Sequence, residues 1–385
     1  MKILVVVARD ADHPDAAGGD LHVALLANEL SREGHDVTVW CSGAPGLRRT
    51  ADSGGVLVKR LAPSRLLAPA VWFRFLTGAA RAYDVVLEEV IGGERIPFLG
   101  IVLSGRPCTG MWYQDNRPLF RASYGRAGVA LATLAQAVLL RLYRGSYLIT
   151  PSRASREWLI GSGVPPDRVV VHSPKVLGGR SKDSLPAFSA RRNRFVTIGN
   201  IRPLKRFEEA IEVLQSLANR VPDAELVILG RRDDNEYLSV LKQRADASPV
   251  RTRISFMLNA TEEEKFALLR SAKALTIHSP VEGFGWTTLE AGVSGVPIVA
   301  NQGTPEDAVQ EGINGTRLTF GDVEAYSLTL ARLMTDEVEW SRFSAGATKS
   351  ADRFTDAPAS PEVEWILRRS ASMGSDVAAT GRSSS

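Results

Sequence analysis

The sequence predicts an α/β chain of two doubly wound domains in tandem, each built on a parallel sheet. Its 385 residues are too many for one comfortable hydrophobic core. Short, continuous apolar runs of strand length alternate with longer segments of helical periodicity. This alternation stops in a stretch rich in Pro, Gly and Ser, residues 173–193, and then starts again. We therefore interpret 173–193 as the linker between two domains of ordinary size.

The first domain is predicted to span 1–185. Its opening run, 3–7, is wholly apolar, which is typical of a parallel strand buried on both faces. The run breaks at Arg9, so it is too short for a secretory signal. A loop carrying Gly18 and Gly19 comes next, and a helix follows it. Further strands are predicted at 37–40, 85–87, 107–113 and 147–150.

An apolar segment at 127–140 is shorter than the ~20 residues that a membrane-spanning helix needs. We therefore expect a helix of the core there.

The second domain is predicted to span 193–350, and it repeats the same alternation. A helix at 351–370, around Trp365, is predicted to follow it, and the Ser-, Gly- and Ala-rich tail 371–385 is expected to be disordered. The strands predicted within the second domain are 195–198, 225–229, 253–257, 274–278 and 296–300, and the helices are 207–219, 262–271 and one that starts near 286.

Composition and charge exclude some classes of protein. Cys41 and Cys108 are the only cysteines, which excludes a disulfide framework and a four-cysteine zinc site. Residues 1–190 carry 23 basic and 16 acidic side chains, which leaves 24 and 27 of the totals of 47 and 43 for the rest. The basic first half indicates either an ordinary solvated surface or a domain that attracts an anionic acceptor or membrane.

The most informative segment is 278–291, where a predicted strand, a glycine-bearing turn and a helix follow each other. Backbone N–H groups at a helix N-terminus attract anions, and Gly283 and Gly285 leave room for a phosphate. Glu290 lies about two helical turns beyond Gly283, on nearly the same face. One carboxylate, Glu282, can therefore face a sugar bonded to that phosphate, while Glu290 reaches the ribose beyond it.

This segment resembles the Glu-x7-Glu signature of the family 4 glycosyltransferases, and Glu282 to Ala291 match it nearly throughout. The resemblance covers most of the chain. It extends to Gly18-Gly19 in the first loop, to Gly34-His35 before the second strand, to Pro151-Ser152, to the donor loop Gly199 to Lys205, and to the runs 226–230, 294–300 and 311–315.

The resemblance implies the GT-B fold: two facing Rossmann-like domains with parallel sheets, and a C-terminal helix crossing back to the first domain. It implies retaining transfer of a sugar from a nucleotide-sugar donor to an acceptor hydroxyl. The donor would be held mainly by the second domain and the acceptor mainly by the first. No cofactor and no metal are expected, since the nucleotide-sugar is a substrate.

By the same resemblance, Glu282 contacts the transferred sugar, Glu290 contacts the ribose, and Lys205 compensates the charge that builds on the diphosphate. The donor site implied by the family's motifs comprises Gly18, Gly19, Asn200, Arg202, Lys205, Gly283, Phe284, Gly285, Thr287 and Glu290.

Two positions depart from the family pattern. Asn200 occupies the place of the donor-loop arginine, and our hypothesis is that Arg202 replaces that arginine rather than Arg206. Gln114 occupies the place of a histidine near the reacting sugar. Glutamine can hydrogen-bond a hydroxyl but cannot relay a proton, and Asp115 beside it is expected to position groups rather than act as a base.

Weaker patterns suggest partners. Aromatic and basic residues mix at 72–75 and at 117–121, which suits core aromatics among surface arginines, or peripheral contact of the first domain with a membrane. Nucleic acid is not expected as a partner, because no recognised module appears. We expect a cytoplasmic protein, with the inner face of the membrane as its peripheral site. The acceptor is a glycan, a lipid-linked sugar or a small molecule.

Three alternatives stay open at this point. Another GT-B enzyme, such as a nucleotide-sugar epimerase or a phosphorylase, would share the fold without requiring an acceptor alcohol. A catalytically silent nucleotide- or carbohydrate-binding subunit would fit the changes at Asn200 and Gln114. A nicotinamide oxidoreductase is the weakest alternative, since no Gly-x-Gly-x-x-Gly follows the first strand.

Overall fold

The structure is a computed structural model that describes residues 1–16, 18–90, 96–176, 184–231, 234–354 and 361–380. Within helices, the side chains at 119, 122, 123 and 373–380 are outside the description as well. The chain divides into two compact units. Unit 1 is Met1–Pro174 together with Ala357–Ser385, and unit 2 is Lys175–Asp356.

Unit 1 carries an eight-stranded sheet in the order β3-β4-β2-β1-β5-β6-β7-β8. The strands are β1 (Lys2–Val6), β2 (Asp36–Gly43), β3 (Thr50–Ser53), β4 (Val56–Pro63), β5 (Val85–Glu89), β6 (Cys108–Met111), β7 (Leu148–Thr150) and β8 (Val169–Val171). The helices are α1 (Gly18–Arg32), α2 (Leu67–Leu76), α3 (Gly100–Leu103), α4 (Arg117–Tyr143) and α5 (Arg153–Gly161).

Alternate side chains of the unit 1 strands point to opposite faces, and each face has its own core. Ile3 and Val5 pack with α1 on one face, while Leu4 and Val6 pack with α2, α4 and α5 on the other. All strand pairs are parallel except the edge hairpin β3–β4, which is antiparallel. The sequence analysis named neither of these two strands, nor β8.

Unit 2 carries a six-stranded sheet, wholly parallel, in the order β11-β10-β9-β12-β13-β14. This is the doubly wound order in which the first and fourth strands lie side by side. The strands are β9 (Arg194–Ile198), β10 (Glu225–Gly230), β11 (Ile254–Leu258), β12 (Ala274–Ile277), β13 (Ile298–Asn301) and β14 (Gly315–Leu318), and the helices are α6 (Phe207–Leu217), α7 (Asn235–Ala247), α8 (Glu262–Ser271), α9 (Trp286–Val293), α10 (Val323–Thr335) and α11 (Glu337–Asp352).

The last helix, α12 (Pro361–Thr380), belongs to unit 1 although unit 2 precedes it in the chain. Val363, Ile366 and Leu367 are buried in the core that α1 also covers. The helix continues to Thr380, beyond its predicted end at 370, and residues 381–385 lie outside the described part. Ala, Ser and Met in this stretch are acceptable helix residues, and no proline interrupts it.

Helix α4 differs from the core helix expected at 127–140. Gly125 has non-helical angles and divides it in two. Among the described helices, its segment Tyr124–Tyr143 is the one that is long and apolar enough to cross a membrane, by length and composition alone. Only 22% of its most apolar stretch is buried. The helix thus covers the sheet with one face and presents another apolar face to solvent.

Candidate functional site

The predicted donor-site residues that belong to unit 2 lie at the carboxyl edge of its sheet, whereas Gly18 and Gly19 belong to unit 1. Two chain segments leave this edge side by side, one after β9 and one after β12, and these strands are hydrogen-bonded neighbours. From β9 the chain runs to one side of the sheet, and from β12 to the other. Ligands of open α/β sheets bind at such a switch point, because the diverging connections leave a crevice there.

An ion pair links these two segments. Lys205, after β9, donates from Nζ to Oε1 of Glu282, after β12, over 2.6 Å. The two side chains are 18% and 14% exposed, so the pair is largely shielded yet still reachable. Burial alone would raise the pKa of Glu282, but the charge and hydrogen bond of Lys205 outweigh it, and the pKa lies below its ordinary value. Glu282 is therefore an ionised acceptor of hydrogen bonds at neutral pH.

The second carboxylate, Glu290, is held by a lysine that the sequence analysis missed. Lys265 on α8 donates to Glu290 Oε1 over 2.5 Å and to Glu262 over 2.8 Å. Burial raises the pKa of Glu290 despite this neighbour. Lys265 lies outside every motif of the sequence, so only the packing of α8 against α9 reveals it.

The turn between these carboxylates has the backbone that an anion site needs. Gly285 has φ +93°, a left-handed conformation that favours glycine, and it precedes the first turn of α9. No side chain among the described residues caps this helix. Thr287 is half-buried in the first turn, whereas Phe284 is buried against Phe354, so any contact from Phe284 to a phosphate comes from its backbone.

The loop after β13 supports this turn, and the sequence analysis missed it. The carbonyl of Gly303 accepts a hydrogen bond from Glu282 N over 3.2 Å. A Cβ at Gly303 would lie 2.0 Å from the carbonyl oxygen of Pro280, so only glycine fits this approach. Thr304 next to it is buried, and its hydroxyl has no hydrogen-bond partner among the described residues. A glycine-threonine pair after a predicted strand is the signal that could have indicated this loop.

The two arginines that could replace the one missing at Asn200 differ in their partners. Arg206 is occupied: it pairs with Glu209 over 2.5 Å and lies over the ring of Phe320. Arg202 is half-buried, and its Nε has no hydrogen-bond partner in the described part of the chain. Its positive charge also contributes to the low pKa of Glu282. These contacts leave Arg202 as the guanidinium available to a ligand.

A buried cluster of side chains surrounds Glu209 on α6. His278, after β12, stacks on Tyr326, and its Nδ1 is 3.6 Å from Glu209 Oε2. Burial alone would raise the pKa of Glu209, but the nearby His278 and the hydrogen bond from Arg206 outweigh burial, and the pKa lies below its ordinary value. The cluster connects α6 with the end of β12.

The predicted residues of unit 1 lie at the carboxyl edge of its own sheet. Gly18 and Gly19 begin α1, and the Tyr113 hydroxyl donates to the Gly19 carbonyl over 3.0 Å. Gln114 is half-buried, and its side chain makes no hydrogen bond among the described residues. Ser152 caps α5 by accepting from Ser155 N, as its place after β7 suggests.

Asp115 is fully engaged. Arg117 donates to both of its carboxylate oxygens, and Gln136 donates to Oδ1 over 3.1 Å. Burial alone would raise its pKa, but these hydrogen bonds outweigh burial and lower the pKa. An ionised carboxylate held from two sides suits the positioning role expected for Asp115.

Two histidines, isolated in the sequence, are brought together in unit 1. His22 Nε2 lies 2.7 Å from His172 Nδ1, and His172 Nε2 lies 3.3 Å from Glu29. All three side chains are buried. Burial, followed by the nearby charge of His172, lowers the pKa of His22 well below its ordinary value, so His22 is neutral at physiological pH.

The described residues place one group of possible metal ligands together, Glu33, His35 and Glu364. It lies at the amino ends of β1 and β2, where Met1 N is 3.2 Å from His35. Open α/β sheets bind ligands at the carboxyl ends of their strands. This group lies at the amino ends, so it is remote from the carboxyl edge of the unit 1 sheet.

Two family descriptions match successive parts of the chain. Residues 16–174 match the family described as Glycosyltransferase Family 4, and residues 183–350 match Glycosyl transferases group 1. The two matches follow each other along the chain and end close to the boundary between the two units.

The chain is also similar to proteins that are named as glycosyltransferases. The D-inositol 3-phosphate glycosyltransferase of Salinispora tropica is 29% identical over 165 residues, which is 41% of this chain and 34% of that protein. The chain thus spans about a third of the length of this relative. The GDP-mannose-dependent alpha-(1-6)-phosphatidylinositol monomannoside mannosyltransferase of Mycolicibacterium smegmatis is 28% identical over 353 residues, 84% of this chain and 88% of that protein.

A solved structure shows the fold. Anabaena HepE, in complex with UDP-glucose, superposes with a TM-score of 0.67 at 17% identity, and the match covers 98% of this chain and 100% of that chain. The predicted fold, GT-B with two parallel-sheet α/β domains, is thereby confirmed. With both family regions matched in order, the chain belongs to the glycosyltransferases of family 4.

Proposed function

We propose that this protein transfers a sugar from a nucleoside-diphosphate donor to an acceptor hydroxyl, with retention of the anomeric configuration. The observation that carries the proposal is the Lys205–Glu282 ion pair at the switch point of the unit 2 sheet, beside the glycine turn that opens α9. A cation, an ionised carboxylate and a helix N-terminus are what a sugar diphosphate requires of its binding site.

The diphosphate would lie against the turn at Gly283 to Gly285 and the amino end of α9. Negative charge grows on it as the bond from the sugar C1 to the phosphate oxygen breaks. Lys205 and Arg202 are placed to stabilise that charge, and such preorganised electrostatic contacts are commonly worth 10²–10³ in rate. Glu282 would accept hydrogen bonds from sugar hydroxyls, and Glu290 from the ribose.

Retention follows if the acceptor oxygen attacks C1 on the face that the phosphate leaves. The acceptor proton then passes to the departing phosphate oxygen, so no protein base is consumed. This route suits the residues present, because Gln114 cannot relay a proton and Asp115 is held ionised by Arg117 and Gln136.

The donor class has support from similar proteins. One relative is named for its dependence on GDP-mannose, and one structural neighbour binds UDP-glucose. Both are nucleoside-diphosphate sugars, which is the donor class that we propose here. We further propose that transfer needs neither a metal nor a cofactor, because Lys205 and Arg202 supply the positive charge that a metal would otherwise bring.

For the acceptor we propose a sugar, a lipid-linked sugar or a small alcohol, presented by unit 1 at the inner face of a membrane. Phe73 and Leu76 on α2 are 69% and 71% exposed, and Arg74 beside them is exposed too. Apolar and cationic side chains in one exposed place are typical of peripheral membrane contact. The relative named for a phosphatidylinositol monomannoside acts on a lipid of this kind.

Transfer is tested with a panel of nucleoside-diphosphate sugars and a mixed acceptor pool, followed by NMR of the purified product. We expect one donor to be consumed only in the presence of acceptor, with product in the anomeric configuration of the donor, and with the same rate in chelator. Product of inverted configuration would refute retention. Donor turnover without acceptor would favour an epimerase or a hydrolase instead.

A further inference from the structure

A groove with a volume of about 440 Å³ runs between α4 and α5 on unit 1. It lies on the face of the unit 1 sheet that α2, α4 and α5 cover. At one end, its lining residues Arg117 and Gln136 hold Asp115, and the proposed glycosyl transfer uses none of the other lining residues. The groove is lined by Arg117, Thr133, Gln136, Ala137, Leu140, Arg141, Arg144, Trp158, Ser162, Gly163 and Val164.

The charge of the groove is positive. Three of its lining residues are arginines, and none of them is acidic. Asp115 neutralises Arg117. The side chains of Arg141 and Arg144, in contrast, make no hydrogen bond or ion pair within the described part of the chain. Both are exposed. Guanidinium groups without a protein partner are suited to phosphate oxygens, which they bind through paired N–H donors.

The apolar face of α4 adjoins this groove. Leu131, Leu134 and Val138 are 57%, 65% and 51% exposed, and Leu142 follows at 40%. These four recur three or four residues apart, so they form one stripe along the helix. The groove residues Thr133, Ala137 and Arg144 recur on the neighbouring face. The helix therefore presents an apolar stripe and a cationic groove side by side to the same solvent.

We propose that this surface docks on an anionic lipid bilayer, with lipid phosphates in the α4–α5 groove and the Leu131–Leu142 stripe among the acyl chains. The inference rests on the proposed function, and it adds the α4–α5 surface to the α2 contact proposed there, on the same face of the unit 1 sheet. Trp158 in the groove suits this depth, since indole rings favour the interface between headgroups and hydrocarbon. A bilayer supplies phosphate and hydrocarbon together, which this surface requires.

Charge complementarity favours the bilayer over a second copy of the chain. Two copies packed through this face would bring their unpaired Arg141 and Arg144 towards each other, without carboxylates in the groove to compensate them. Like charges in close contact oppose association. Anionic headgroups would instead pair with the arginines of the groove, whose lining holds no carboxylate.

The test is sedimentation of the full chain with phosphatidylcholine vesicles, with and without phosphatidylglycerol. Arg141→Gln combined with Arg144→Gln is expected to weaken binding to the anionic vesicles by about thirtyfold, the effect of two basic residues near a charged surface. Arg32→Gln combined with Lys242→Gln removes the same charge elsewhere and is expected to change binding little. Both residues are exposed, and Arg32 lies on α1, on the opposite face of the sheet.

The stripe is tested by Leu134→Gln combined with Val138→Gln, which should weaken vesicle binding by about tenfold or more. The matched control is Val240→Gln with Val338→Gln, two exposed valines of unit 2. Since all these side chains are exposed, the melting temperatures should stay near that of the parent protein, which separates lost docking from lost folding.

Three results would overturn the proposal: equal binding to neutral and anionic vesicles, unchanged binding by the arginine variant, or stabilisation by inorganic phosphate without any vesicle binding. A dimer in light scattering that the Leu134 variant dissociates, with no vesicle binding, would assign the stripe to a second copy. Nucleotide-induced stabilisation is measured in every variant. Its absence in the parent protein would refute the donor site while leaving the docking result intact.

Discussion

At the scale of single residues, the proposed donor binding depends on which cations face the diphosphate. Arg202 and Arg206 stand four residues apart, yet one has a buried Nε without a partner in the described structure and the other is held by Glu209. Hydrogen bonds from a charged donor contribute roughly 1.5–3 kcal/mol. Arg202→Ala should therefore weaken binding of the diphosphate product about tenfold to a hundredfold.

Arg206→Ala is the matched control, because its guanidinium is already paired. Titration calorimetry of both variants with the nucleoside diphosphate, and with the uncharged nucleoside, measures the difference. We expect Arg202→Ala to lose affinity for the nucleoside diphosphate but not for the uncharged nucleoside, and Arg206→Ala to lose neither. Equal loss in both variants would contradict the assignment of Arg202 to the phosphates.

The two carboxylates of the signature should respond to pH with opposite signs. The pKa of Glu282 is lowered in the folded state, so its contribution to stability is present above its ordinary value of 4.5 and is lost as pH falls through the folded pKa. The pKa of Glu290 is raised, so the folded state binds the extra proton, and stability is lost as pH rises from 4.5 through the folded pKa.

Urea unfolding between about pH 3 and pH 7, with Glu282→Gln and Glu290→Gln, separates these effects. The stability advantage of the parent protein over Glu282→Gln should shrink towards low pH. Its advantage over Glu290→Gln should shrink towards neutral pH. Parallel pH profiles for the parent protein and Glu282→Gln would show that Lys205 does not hold this carboxylate in its charged form.

Much of this site could be predicted from the sequence, because one contiguous segment carries both carboxylates and the glycine turn. Lys205 could be placed with Glu282 only through the family resemblance. Lys265 could not be found, since its contact with Glu290 depends on how α8 packs against α9. His22 and His172 meet across 150 positions of sequence, and no local pattern reports such a contact.

At the scale of elements, the loop after β13 is the support whose loss should be measurable. A methyl group at Gly303 would meet the Pro280 carbonyl at 2.0 Å and push the loop away from Glu282. Gly303→Ala should cost about 1–3 kcal/mol of stability, the usual cost of overpacking. It should also weaken donor binding, because Glu282 N loses its partner.

Thermal unfolding with and without nucleotide checks both effects. Gly145→Ala is the control, since a Cβ there meets nothing within 4 Å and the residue has no left-handed φ. A Gly303→Ala protein with the stability and nucleotide affinity of the parent would show that this loop does not fix the Glu282 turn.

Helices and strands could be predicted where the apolar periodicity is strong. The prediction failed where packing against neighbouring elements determines the structure. The strands at the centre of both sheets are continuous apolar runs, and most of them appear close to the predicted positions. The edge hairpin β3–β4 is short and partly exposed, so its pattern is weak. Helix α4 has the composition of a core helix, but only the structure shows that one apolar face is left uncovered.

At the scale of the whole molecule, the chain is two doubly wound sheets, and α12 returns the C-terminus to the core of unit 1. The repetition of apolar runs on both sides of 173–193 predicts two such domains. The return of α12 could be expected only from the family resemblance, because three buried apolar residues do not say which core they join.

Unit 2 is predicted to bind a nucleoside diphosphate through the Glu282–Glu290 segment. Thermal unfolding of the parent protein and of Glu290→Ala against UDP, GDP, ADP, TDP and CDP tests it most directly. A ligand at a hundredfold excess over its Kd stabilises the folded state by about 2.7 kcal/mol. We predict that one nucleotide raises the melting temperature of the parent protein and that Glu290→Ala loses most of this rise. No shift with any nucleotide, or an undiminished shift in Glu290→Ala, would contradict the account.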